Sequence, residues 1–129
     1  MTCFWDGILA NLKEEDFQRS LRVSKPNNRN LVDLLMKNNT LDTRNIIWNG
    51  KNITEQETKE NYEHIKNFNI NSIGNGYLCS SCDPFLILIC ELFKININHK
   101  YLGNMIKYQV NNPVKTLNFS SNRGHFTAC

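Results

Sequence analysis

The chain has 129 residues, a 40% apolar share and a formal net charge of +3. That length suits one domain, residues 1–129, able to bury about two-thirds of its unfolded surface without staples. The charge is too small and too dispersed to make nucleic acid the main partner. Asp6, Asn11 and Lys13 interrupt the apolar residues near the N-terminus, and the longest apolar run, Pro84 to Phe93, is about half a bilayer crossing, so neither a secretory signal nor a membrane span is expected. The five cysteines are an odd number, which without a secretory signal points to reduced thiols in the cytoplasm.

In chain order, Trp5, Ile8, Leu9 and Leu12 fall at the spacing of one apolar helix face, with Thr2 able to cap its start. A second helical segment opens at Lys13-Glu14-Glu15-Asp16 with Phe17 and Leu21 inward. After the Pro26-Asn27-Asn28 turn, Leu31, Leu34, Leu35 and Asn38 read as a third helix. Asn45 to Ile53 carries a hairpin signature around Asn49-Gly50, since that pair adopts the positive φ angles of a type I′ turn. Thr54-Glu55-Gln56-Glu57 is a capping box, predicting a solvated helix to about Lys66 with Tyr62, Ile65 and Phe68 turned inward. Gly74-Asn75-Gly76 breaks the pattern, and Asp83-Pro84 then starts the most hydrophobic element as N-cap and first helical residue. Its residues to Phe93 are apolar nearly all round, which predicts a central helix buried against a sheet. From Lys94 the period becomes two: Ile95 and Ile97, then Asn104 to Tyr108, then Thr116 to Ser120, a loop over Ser121 to Gly124, and a last strand from His125 to Cys129. Helices first and a mainly antiparallel meander last is the α+β class.

Three features could carry chemistry. Cys3 falls in the first turn of the first helix, where free N–H groups and the positive end of the helix favour a thiolate. Cysteine hydrolases pair such a thiol with an imidazole brought from a distant strand. His64 lies on the polar helix and His99 follows a strand, whereas His125 opens the last strand after a glycine-containing loop that can hold its ring rigidly. Cys79-Ser80-Ser81-Cys82 is a C-x-x-C ahead of a helix, which suits a zinc or redox pair, but structural zinc needs four ligands and no second pair exists. Gly74-Asn75-Gly76 lacks the Lys-Ser/Thr of a phosphate cradle.

Taken together the pattern resembles the ovarian tumour (OTU) family of papain-like cysteine proteases, many of which are deubiquitinases. The likeness rests on Thr2-Cys3-Phe4-Trp5, a nucleophile heading a helix; on Asp83 to Ile97, a buried helix leading through a turn into an Ile-rich strand; and on Leu117-Asn118-Phe119 through Gly124-His125-Phe126, a strand and loop delivering a histidine followed by an aromatic. The resemblance implies a papain-like fold with helices packed on a small sheet. It also implies cleavage of amide or isopeptide bonds at the C-terminal tail of ubiquitin or a ubiquitin-like modifier, with Cys3 as nucleophile and His125 as general base and acid. No cofactor or metal is implied, and the expected state is a monomer in the cytoplasm, that of a host cell if the chain is a compact viral version. Two departures stand out. The family's acidic residue or Asn two positions after the histidine is here Thr127, with Asn122 or Asn118 as alternatives for orienting the ring, and only Met1 and Thr2 precede Cys3 where the family has Asp-Gly-Asn. The alternative functions are a ubiquitin-binding module of the same fold without catalysis, and a small zinc or redox protein using Cys79 and Cys82.

Overall fold

A computed structural model describes residues 3–39, 42–75, 77–121 and the backbone of residues 122 and 125–128. Its organising element is helix α5 (Pro84–Phe93), in which every residue but Glu91 and Leu92 is buried. The start is fixed as expected: the Asp83 carboxylate accepts from the N–H groups of Phe85 and Leu86, and Pro84 takes the first position. The end is fixed by Lys94 in the left-handed region, φ +55°. Around α5 pack α2 (Glu14–Leu21), α3 (Asn28–Lys37) and α4 (Glu55–Lys66). Helix α1 (Cys3–Asn11) reaches α5 through aromatic rings, Trp5 lying edge-on to Phe85 at 5.0 Å. The capping box of α4 forms in full, Thr54 and Glu57 each accepting the other's backbone N–H.

Beneath α5 lies a mixed six-stranded sheet. Its strands are β1 (Ile47–Trp48), β2 (Lys51–Asn52), β3 (Asn96–Tyr101), β4 (Asn104–Gln109), β5 (Thr116–Asn122) and β6 (His125–Ala128), in the order β2-β1-β4-β3-β5-β6. The β1–β2 hairpin turns at Asn49 and Gly50, φ +48° and +80°, as Asn-Gly predicts. The α+β class holds, with helices on the sheet face that carries Ile97, Ile106, Tyr108, Leu117 and Phe119, all buried. Residues of the other face, Lys100, Met105, Lys107 and Asn118, are exposed.

Four expectations are corrected. The last strands are not a simple meander: β5 runs parallel to β3, because β1 already occupies the outer edge of β4 and leaves β5 the free edge of β3. Ser121 and Asn122 are not loop residues but continue β5 to its pairing with β6. Tyr62 is 41% exposed rather than inward, its ring 5.9 Å from the Lys66 ammonium, and Ile65 alone is buried on that helix. His99 does not follow a strand; it sits inside β3 and is fully buried.

Candidate active site

Cys3 is the first residue of α1, half-buried and packed against the core. The proposed cap Thr2 lies outside the described residues. Helix α1 runs alongside β6, the edge strand of the sheet, whose first residue is His125. The first helix and the last strand are therefore neighbours. In the β5–β6 ladder position 122 faces position 125 and position 120 faces position 127. Asn122 and Thr127 are thus the two register neighbours of His125, and all three positions belong to the sheet face that also carries Lys100 and Ser120. Asn118 stands four residues along β5 from position 122, about 13 Å away, where it accepts a hydrogen bond from the side-chain amide of Asn98. It is too far along the strand to orient a ring at position 125.

A second thiol–imidazole contact lies in the interior. His99 Nε2 is 2.6 Å from Ser121 Oγ and 3.7 Å from Cys79 Sγ, and the thiol is 3.7 Å from the same hydroxyl. Burial lowers the imidazole from 6.5 to about 4, while burial raises the Cys79 thiol to about 11 against the hydrogen bond to Ser121. Both groups are therefore neutral near pH 7, and the thiolate is only about one part in ten thousand. A thiolate–imidazolium pair needs the opposite shifts. Cys82 is pushed to about 11 as well, by burial and by the carboxylates of Glu57 and Asp83. Burial, the largest cause for both thiols, thus works against the thiolate that a place ahead of a helix favours. Among the described residues no group of three or more His, Cys, Asp or Glu side chains could hold a metal ion.

The loop bearing these cysteines is tied down at nearly every residue. Asp83, fully buried, accepts from the Tyr77 hydroxyl at 2.9 Å and from Ser80 N–H at 3.0 Å as well as capping α5. Burial raises its carboxyl above the ordinary range, opposed by these donors. Its own N–H donates to the Tyr108 hydroxyl, which in turn donates to Ser81 O. His64 Nε2 lies 3.2 Å from the Tyr77 oxygen, and since that hydroxyl donates to Asp83, the imidazole is the donor. Sequence reasoning set His99 after a strand and missed its inward place, although Ile95, Ile97 and His99 share the period-two spacing that marks an inward face.

A groove of about 950 Å³ between α4, α5 and Asn39, Thr43 and Arg44 is lined in part by Ile65, Ile87 and Leu88, and by none of the candidate residues among the described ones. Comparison with protein-family models, curated proteins and solved structures finds no match to this chain.

Proposed function

We propose that the protein is a thiol-dependent hydrolase of papain-like OTU type that cleaves peptide or isopeptide bonds at the C-terminal tail of ubiquitin or a ubiquitin-like modifier. The observation that carries this reading is that α1, headed by Cys3, runs along β6, headed by His125. The buried apolar helix and the strand that follows it support the reading.

In this reading the Cys3 thiolate attacks the scissile carbonyl carbon, and backbone N–H groups at the start of α1 receive the oxyanion, at about 3 kcal/mol per donor. His125, having taken the thiol proton, returns it to the leaving amine. A water deprotonated by His125 then hydrolyses the thioester and frees the modifier's carboxylate. Asn122 or Thr127 orients the ring. No cofactor enters, and the enzyme works as a monomer in the cytoplasm.

The test is covalent capture. Ubiquitin bearing a C-terminal electrophile should form a one-to-one adduct with the wild type and none with Cys3→Ala, and iodoacetamide should alkylate Cys3 ahead of the buried thiols. Absence of an adduct in a folded protein removes the hydrolase. If ubiquitin nevertheless binds, the molecule is a recognition module of the same fold.

A further inference from the structure

An imidazole shut away from water is costly unless its nitrogens are used, and an apolar side chain would fill the same strand position more cheaply. His99 is 0% exposed on the inward face of β3, yet it reaches across to β5 and to the loop before α5, meeting Ser121 Oγ at 2.6 Å and Cys79 Sγ at 3.7 Å. The Ser121 carbonyl also receives Leu102 N–H from the β3–β4 turn, at 3.0 Å. One residue thus gathers a strand, its neighbour and a loop.

That loop has further anchors on either side of Cys79. Tyr77 bonds Asp83 and lays its ring 4.6 Å from that of Phe4, the residue after Cys3. Ser81 O accepts from Trp48 Nε1 at 2.8 Å and from Tyr108. Between the fixed neighbours Tyr77 and Cys79, Leu78 is 81% exposed. A lone exposed leucine means little by itself. Here both flanking residues are pinned and the loop abuts the residue next to Cys3, so Leu78 is a preformed contact whose ordering cost is met before anything binds.

We propose that His99 is a positioning residue: through Cys79 and Ser121 it clasps the Tyr77–Asp83 loop against the start of α1, so that Leu78 meets an apolar side chain of the extended substrate tail beside Cys3. This rests on Cys3 being the nucleophile. His99 takes no part in bond making.

Three variants test it with a ubiquitin-tail substrate. His99→Leu and Cys79→Ala break the clasp from either side, and Leu78→Ser removes the contact it presents. Each should raise KM about tenfold with kcat within about threefold, and iodoacetamide should alkylate Cys3 at the wild-type rate. The His99→Leu/Cys79→Ala double variant should be no worse than either single one, because both remove the same contact. Amide exchange over residues 77–83 should quicken in both clasp variants and not in Leu78→Ser, and Cys79→Ser should recover part of the protection. Should His99→Leu fail to fold, Cys79→Ala, at a half-buried position, carries the test. Wild-type KM and wild-type exchange in folded Cys79→Ala overturn the clasp. A fall in kcat at constant KM overturns it too, by putting His99 in the chemistry. No adduct formation by the wild type instead overturns the hydrolase reading and the role of Leu78 with it, while the exchange rates still decide whether the clasp exists.

Discussion

His99 carries the sharpest residue-scale consequence. Its ordinary value of 6.5 falls to about 4 on burial, so between those two values the unfolded chain binds a proton at this position and the folded chain does not. Stability contributed by the neutral ring is therefore complete above about pH 6.5 and is lost progressively down to about pH 4, by an amount of order 1–3 kcal/mol. In urea unfolding at about pH 7.5, 5.5 and 4.5, the wild type should weaken more steeply than His99→Gln, and the difference between the two isolates His99 from the carboxylates. Parallel pH profiles would mean that water reaches the ring in the folded state. The residue's place in β3 was readable from its spacing behind Ile95 and Ile97, but its partners were not. Cys79 lies twenty residues earlier and Ser121 twenty-two later, and no local pattern ties a C-x-x-C to a strand that folds beneath it.

At the scale of elements, local chemistry predicted starts better than faces. The Thr54 capping box, the Asn49-Gly50 turn and the Asp83-Pro84 helix start all stand where their residues say, because each is made by atoms a few residues apart. Which residues of α4 turn inward depended on what α4 lies against, and there Tyr62 defeated the periodicity. The two caps nevertheless differ in weight. Thr54 is exposed, and Thr54→Ala should cost about 1 kcal/mol. Asp83, itself fully buried, caps α5 and also holds the half-buried Tyr77 hydroxyl and Ser80 N–H. Its removal leaves those donors without an acceptor, so Asp83→Ala should cost about 3–5 kcal/mol and free the loop that carries Leu78. Equal losses for the two variants in denaturant unfolding would show that the Tyr77–Asp83–Ser80 bonds add nothing to the cap.

Over the whole molecule, charge is segregated along the chain. Residues 92–129 contain five Lys or Arg and no Asp or Glu, whereas residues 1–91 contain ten and twelve. The C-terminal third of the chain is thus cationic and the rest slightly acidic, with Lys100 and Lys107 the cations inside β3 and β4. That division is plain in the sequence, while the parallel β3–β5 pairing is not, because strand alternation says which face is inward and nothing about which strand is next door. Lys115, just before β5, ties the two halves: its ammonium meets the Asp16 carboxylate of α2, which is 1% exposed, and also Asn11 O. Burial by itself would raise the Asp16 carboxyl, but hydrogen bonds from Lys115, Lys13 N–H and Arg19 bring it below its ordinary 3.8. Lys115→Met should therefore cost about 2–4 kcal/mol near neutral pH, softened by the Arg19 contact that remains at 3.1 Å. The sign of its pH dependence follows from the lowered carboxyl. The pair stabilises the fold above about pH 4 and its contribution falls as Asp16 takes up its proton below that, so the loss caused by Lys115→Met should be smaller at acid pH than near neutrality. A loss of the same size at both pH values would mean that Lys115 holds the halves together by packing its methylene stem, with the charge incidental.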